Sequence, residues 1–304
     1  MTALLDHEGN VTKKVEGTAF YDASLPKART AAQTHAGEGG YVASLPQILR
    51  GRVVAPFDNE IWMDWFTANS EELIGTTSQG TPVVIAVHGG GVLSNPARIE
   101  QAYKEGLLNY SVKLDVDKEF RPLLSGRLPD GTSIPVFESV ESFLESADNL
   151  PRQYAVIMDF DTVMHTASGE QTIDELRYNQ LVHVRAGGVQ AAHAYLDRAS
   201  EIGWRTMGNW HPFRCSDPLT AQGHLLWIGC SNRGGLDGER LYGDGRFVAV
   251  GEPEARHAEN GAALPPLDRV AASLYRGIQS SVAPENRDAV KAALRASFEN
   301  HLYK

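Results

Sequence analysis

The sequence predicts an α/β fold with a mixed, mostly buried central sheet flanked by helices. Apolar runs of strand length occur at 83–87, 154–158 and 225–228, and runs without polar alternation are typical of strands covered on both faces. Apolar residues at four-residue spacing elsewhere indicate amphipathic helices. A Pro-Asp-Gly turn at 129–131 leads into another strand at 134–137, so the sheet is expected to be mixed rather than purely parallel.

Composition along the chain predicts three segments. Residues 1–45 are polar, and three glycines fall within 37–40, where their backbone entropy opposes regular structure. We therefore expect an extended N-terminal arm at 1–45, an α/β core domain at 46–255 and a C-terminal helical hairpin at 256–304. Because such an arm can lie across a neighbouring subunit, a homo-oligomer formed through it is one expected partner.

The segment 83–107 is predicted to form a strand, a glycine loop and a helix in that order. Asn95 followed by Pro96 is an N-cap with proline at the first helical position. The helix has an apolar face formed by Ile99, Tyr103 and Leu107.

The remaining elements follow from the same rules. Alternation predicts a half-buried strand at 112–116, four-residue apolar spacing predicts a helix at 187–203, and an apolar run after a tight turn predicts a strand at 247–250. The aromatic cluster Ile61-Trp62-Met63-Asp64-Trp65-Phe66 is expected to pack in the core.

The glycine loop is the first candidate ligand-binding element. Gly89, Gly90 and Gly91 let backbone N–H groups approach a ligand, and the following helix presents its positive dipole end beside Asn95. His88 with these glycines resembles the oxyanion-hole motif of lipases and esterases of the α/β-hydrolase fold. That family also has a Gly-x-Ser-x-Gly elbow, which this sequence lacks, so the family is not assigned.

Reactive side chains follow three of the apolar strands. His88 follows the first strand, Asp159 and Asp161 the second, and Cys230 the third. If these strands are parallel neighbours, a histidine, carboxylates and a thiol converge at one sheet edge.

Two further residues complete this catalytic hypothesis. Arg233 would lower the pKa of a Cys230 nucleophile and contact the ligand. His211, on a loop between aromatic residues, is a second candidate base.

Cofactor chemistry is less specified by the sequence. Asp161 and His165 with His88 could hold a divalent metal, but no recognised metal-binding signature is present. No Gly-x-Gly-x-x-Gly follows a strand, so no nicotinamide or flavin motif is found.

Charge and hydropathy restrict the partners. With 28 basic and 38 acidic residues the formal charge is −10, which disfavours nucleic acid and anionic lipid surfaces. No signal peptide and no membrane-spanning apolar run is found, so a cytoplasmic location is expected.

These observations favour an enzyme acting on a small polar or anionic molecule, a hydrolase or lyase. It would use His/Asp acid–base chemistry with a cysteine nucleophile or metal-activated water. Two alternatives remain: a non-catalytic protein that binds a small ligand or nucleotide through the glycine loop, and a structural protein that forms oligomers.

Overall fold

The described part of the chain comprises residues 17–211, 220–230, 234–238, 241 and 243–251 of a computed structural model. These residues all belong to one compact unit, Met1–Glu254. The predicted C-terminal hairpin at 256–304 lies outside the described residues, as does Arg233.

Strands and helices alternate irregularly along the described residues. The strands are β1 Thr18–Asp22, β2 Tyr41–Val42, β3 Phe66–Thr76, β4 Pro82–His88, β5 Val112–Lys113, β6 Val136–Phe137, β7 Tyr154–Asp159, β8 Gly169–Thr172, β9 Thr206–Asn209, β10 Gln222–Ile228, β11 Gly235–Gly238 and β12 Gly245–Val250. The helices are α1 Leu25–Ala36, α2 Leu45–Val54, α3 Glu60–Met63, α4 Pro96–Glu105, α5 Arg121–Leu124, α6 Val140–Glu145, α7 Phe160–His165, α8 Ile173–Leu176, α9 Gln180–Ala186 and α10 Val189–Glu201.

The larger sheet is mixed, as the sequence predicts. Its strand order is β6-β7-β4-β3-β10-β11-β9-β8, with β5 also paired to β10. The pairs β6–β7 and β11–β9 are parallel, and the other pairs in this sheet are antiparallel. A smaller antiparallel sheet has the order β1-β12-β2.

The centre of the larger sheet is β3, a strand that the sequence analysis missed. Its eleven residues, Phe-Thr-Ala-Asn-Ser-Glu-Glu-Leu-Ile-Gly-Thr, are buried except for the last. Adjacent glutamates are unusual in a central strand because a buried carboxylate is costly unless hydrogen bonds or opposite charges compensate it. Both Glu71 and Glu72 are fully buried, and each has such partners on its own face of the sheet.

Side chains alternate between the two faces of the sheet. On one face, Leu73 of β3 packs with Ile85 and Val87 of β4, beneath residues of α1 and α4. Glu71 shares this face, because it lies two positions from Leu73 along the strand. Glu72 points to the opposite face, which α2, α9 and α10 cover.

The glutamate on that second face pairs with a buried arginine of α9. Arg185 donates Nε to Glu72 Oε1 at 2.8 Å and Nη2 to Glu72 Oε2 at 2.7 Å. Its remaining N–H groups reach Asn209 Oδ1 and the carbonyls of Leu236 and Trp210 at 2.7 to 3.0 Å. All five guanidinium donors are therefore used, and burial alone would raise the pKa of Glu72, but the charge and hydrogen bonds of Arg185 lower it to about 2.

The expected N-terminal arm is wrong for residues 17–45. β1 pairs with β12 from Thr18 to Asp22, and α1 buries Ala28 and Ala32 completely. The alanine-rich stretch forms a helix with a small-residue face that packs closely on β12. The glycines end this helix instead of preventing it, since Gly37 adopts a φ of 67° at its C-cap.

Other sequence predictions are confirmed with adjusted boundaries. The three apolar runs form β4, β7 and β10, and Asn95 caps α4 by accepting the N–H of Ala97 at 3.0 Å. The strand predicted at 112–116 stops after Lys113, because Asp115 caps a π-helical turn through the N–H groups of the residues that follow it. Trp62 is fully buried, as the aromatic cluster predicts.

Candidate functional site

A cleft of about 560 Å³ opens beside the glycine loop. Its walls come from α1, β2, the loop after β4, the turn at 128–130 and the residues before β7. The lining residues are Arg29, Gln33, Ala36, Gly37, Gly40, Tyr41, Val42, Gln47, Asn69, Gly89, Gly90, Gly91, Ser94, Asn95, Pro96, Leu128, Pro129, Asp130, Arg152 and Gln153. The predicted ligand-binding residues Gly89, Gly90, Gly91 and Asn95 therefore lie together along one cleft.

The glycine loop is held from beneath by β3. Glu71 accepts the N–H of Val92 at 2.8 Å and that of Leu93 at 2.7 Å, which are the first residues of a short 3-10 helix. Gly89 donates its N–H to the carbonyl of Asn69 at 2.8 Å. Burial raises the pKa of Glu71 to about 7, although its two backbone hydrogen bonds oppose this.

Arg29 of α1 supplies a buried positive charge to the cleft wall. It is 1% exposed, and its Nη2 donates to Asn69 Oδ1 at 2.7 Å. Its guanidinium carbon lies 5.1 Å from the ring centre of Phe247. Among the described residues, Nε and Nη1 have no hydrogen-bond partner. Burial lowers the pKa of Arg29 to about 10, partly offset by Glu71, so the side chain stays charged at neutral pH.

A polar network fixes the floor of the cleft. Asn69 Oδ1 accepts both Arg29 and Ser94 Oγ, the latter at 3.0 Å, while Asn69 Nδ2 donates to the carbonyl of Val42 at 3.1 Å. Gln33 Nε2 donates to the carbonyl of Ser94 at 2.8 Å. These bonds join α1, β2, β3 and the glycine loop, so the floor is preorganised.

The rim carries a second cation. The guanidinium carbon of Arg152 lies 5.3 Å from the ring centre of Tyr41, a cation–π distance. Gln153 Nε2 donates to the carbonyl of Gly89 at 2.8 Å. Asp130, which is exposed, is the carboxylate among the lining residues.

The side chain of His88 lies in the protein core and not in this cleft. It is fully buried on the face covered by α9, its Nδ1 is 2.8 Å from Ser70 Oγ, and its ring centre is 4.9 Å from that of Tyr154. Burial lowers the pKa of His88 to about 4, so the ring is neutral at pH 7. Its position is that of a packed core residue.

The expected convergence at one sheet edge is wrong for His88 and Asp159. β4 and β7 are neighbours but antiparallel, so His88 pairs with Tyr154, and Asp159 pairs with Val83 at the other end. Asp159 is exposed and caps α7 by accepting the N–H of Thr162 at 2.7 Å, a hydrogen bond that lowers the pKa of the carboxyl group.

The other predicted catalytic residues are placed apart from the cleft. Asp161 is exposed on α7, where its carbonyl lies 2.6 Å from His165 Nδ1. His211 Nε2 lies 2.6 Å from the carbonyl of Thr166, just after that helix. Cys230 follows β10, is half-buried and does not line the cleft.

Sequence reasoning missed the polar residues that line the cleft. Arg29 and Gln33 fall in the segment interpreted as an arm, and Asn69 falls in the strand that was not predicted. Their signal was weak, because an arginine and a glutamine four residues apart also describe an ordinary exposed helix face. The packing of α1 on β12 and α4 brings these residues to the glycine loop.

Neither a metal-binding cluster nor a membrane-spanning helix is found in the part of the chain that the structure describes. Within it, no three His, Cys, Asp or Glu side chains are grouped so as to hold a metal ion. No helix in the same residues has both the length and the apolar character needed to cross a membrane.

The chain is similar to a solved structure described as "Accommodation of massive sequence variation in Nanoarchaeota by the C-type lectin fold". The two chains are 24% identical, with 78% of this chain and 98% of that chain covered and a TM-score of 0.62. This likeness shows the C-type lectin fold. No protein-family model and no curated protein matches the chain.

The comparison corrects the expectation of a hydrolase or lyase. That expectation required an α/β sheet whose parallel strands bring His88, Asp159 and Cys230 to a common edge. The chain has the C-type lectin fold, and within its mixed sheet the antiparallel pairing of β4 with β7 separates His88 from Asp159.

Proposed function

We propose that this chain is a non-catalytic binding protein that holds a small molecule in the cleft beside the glycine loop. The observation that carries this proposal is the composition of the cleft wall. The wall offers guanidinium, amide, hydroxyl and backbone groups and the exposed carboxylate of Asp130, and the described residues that line it include no histidine, cysteine, lysine or glutamate. Such a wall supplies hydrogen bonds but lacks the paired acid and base that catalysis of proton transfer needs.

The size and rigidity of the cleft support the same proposal. A volume of about 560 Å³ falls within the range of pockets that hold small ligands. The hydrogen bonds of Glu71 and Asn69 fix the glycine loop before any ligand arrives, and preorganisation of this kind lowers the entropic cost of binding.

The solved neighbour adds support at the level of the fold. It is described as a C-type lectin fold that accommodates massive sequence variation. Applied to this chain, that description favours a constant frame on which the residues that line the cleft determine what is bound.

Calorimetric titration of the full chain tests the proposal. The probes are glucose, glycine, adenosine, acetate, succinate and inorganic phosphate, each at the same ionic strength. We expect at least one to bind with one molecule per chain. Asp130→Trp places a large side chain at the exposed rim and should weaken that binding by about tenfold or more.

The matched control is Asp58→Trp, since Asp58 is also exposed but does not line the cleft. Binding by the control should stay within about twofold of the unmodified chain. The proposal is rejected if no probe binds, or if the two tryptophan variants bind equally well.

A further inference from the structure

We infer that the cleft recognises its ligand through an oxyanion, a carboxylate or phosphate group, held by the guanidinium of Arg29 and the N–H groups of Gly90 and Gly91. This inference rests on the proposed function and names the chemical class of its ligand. The formal charge of the whole chain is −10, but the cleft has the opposite local character.

The charge of Arg29 has no ion-pair partner among the described residues. Its Nη2 hydrogen bond goes to the neutral amide oxygen of Asn69. Glu71 acts on Arg29 electrostatically, yet both carboxylate oxygens of Glu71 already accept backbone N–H groups. A buried charge without a direct counter-ion is costly, and an oxyanion in the cleft would offset that cost.

The glycine loop adds backbone donors beside this charge. In the described part of the chain, the N–H of Gly89 is used within the protein, but no hydrogen bond uses the N–H of Gly90 or Gly91. Both glycines line the cleft. Adjacent backbone N–H groups that no protein group uses are suitable donors for an anionic oxygen.

The buried charge of Arg29 favours an anion over a cation or a neutral ligand. At the mouth, Arg152 and Asp130 carry opposite charges, and both side chains are exposed and screened by water. A cationic ligand would meet the like charge of Arg29 inside the cleft, and a neutral ligand would leave that charge uncompensated. The guanidinium fork also matches the geometry of carboxylate and phosphate oxygens.

Titration with inorganic phosphate, sulfate and acetate tests the inference and distinguishes a phosphate-bearing ligand from a carboxylate-bearing one. Tetrahedral anions that bind more tightly than acetate indicate a phosphate-bearing ligand, and the reverse order indicates a carboxylate-bearing one. Arg29→Met should weaken binding of the preferred anion by about tenfold or more, and Arg152→Gln by about threefold. Arg205→Gln, an exposed control away from the cleft, should change it less than about twofold.

Circular dichroism decides whether Arg29→Met is folded, and if it is not, Arg152→Gln carries the test. The inference is overturned if none of the three anions saturates a site, or if the informative variant binds as well as Arg205→Gln. If glucose or adenosine binds, Asp130→Trp blocks that binding and no anion binds, the proposed function stands and the inference of an oxyanion ligand is rejected. If anions bind to Asp130→Trp as tightly as to the unmodified chain, the cleft is not the binding site.

Discussion

The carboxylate of Glu71 lies directly against the backbone of Gly91, so that a Cβ at position 91 would overlap its oxygens. Gly91 also adopts a φ of 126°, which side-chain-bearing residues rarely adopt. A buried acid of the central strand therefore determines both the path of the glycine loop and the residue type that the loop accepts.

Gly91→Ala is expected to destabilise the fold by about 2 to 4 kcal/mol, because backbone strain and overlap with a buried group add together. Gly80→Ala is the matched control. Gly80 also has a positive φ, of 83°, but nothing lies within 4 Å of its Cβ position, so only strain of about 1 kcal/mol applies. Urea unfolding measures both, and equal losses would show that Glu71 does not constrain the loop.

The raised pKa of Glu71 makes stability fall as pH rises. In the folded chain this pKa is about 7, against an ordinary value of 4.5, so the folded state holds an extra proton between these values. The stabilisation is complete below pH 4.5 and lost above pH 7, about 3 kcal/mol in all. The free energy of unfolding of the wild type minus that of Glu71→Gln should show this fall, whereas a subtraction that uses the exposed Glu100→Gln should be flat.

His88 should produce the opposite pH dependence. Its folded pKa of about 4 lies below the ordinary 6.5, so the unfolded chain binds a proton first as pH falls. Its contribution is present above pH 6.5 and declines by about 3 kcal/mol as pH falls through 4.

Removing that titration with His88→Asn should leave the opposite effect of Glu71 uncompensated, so the stability of this variant should rise as pH falls, while the same change at exposed His165 should leave a curve parallel to that of the wild type. Because Glu71 and His88 act with opposite sign over overlapping pH ranges, the wild-type curve should be flatter than that of either core variant. A His88→Asn curve parallel to the wild type would contradict the assignment of a neutral buried ring.

The elements predicted best were those whose own residues contain the signal. β4 has an unbroken apolar run and α4 has its cap and proline, so both could be identified locally. β3 could not, because its glutamates are compensated by Arg185, 113 positions away from Glu72, and by the backbone of the glycine loop. Burial of this kind depends on long-range partners that a local pattern does not contain.

The candidate site was predicted in part for the same reason. The glycine loop has a local signature, and the structure places it on a cleft. The catalytic grouping depended on strand direction, which apolar runs do not specify, and β4 and β7 proved antiparallel. The role of Arg29 depended on α1 packing against that loop, a tertiary contact that its alanine-rich sequence does not reveal.

Removing one partner of the ion pair between Arg185 and Glu72 should strongly lower the free energy of unfolding. Arg185→Met removes the main counter-charge of buried Glu72, and we expect a loss of about 3 to 5 kcal/mol. Lys118→Gln removes an exposed ion pair with Asp115, 3.5 Å apart, and should cost less than about 1 kcal/mol. Adding Glu72→Gln to Arg185→Met should recover part of the loss in urea unfolding, and no recovery would mean that packing rather than charge was lost.

Glu71 should also tune the affinity of the cleft for anions. Protonation of this acid near pH 7 removes a negative charge that acts on Arg29, while Arg29 itself, with a pKa of about 10, stays charged. Sulfate is the suitable probe because its own charge does not change between pH 6 and pH 8. We expect its affinity to be about fivefold higher at pH 6 than at pH 8, measured by calorimetry at constant ionic strength.

Glu71→Gln should bind sulfate equally at both pH values, at the stronger wild-type level, since the amide is always neutral. If the sulfate affinity of the wild type does not change with pH, or if Glu71→Gln keeps the pH dependence, then Glu71 does not control the affinity of the cleft for anions.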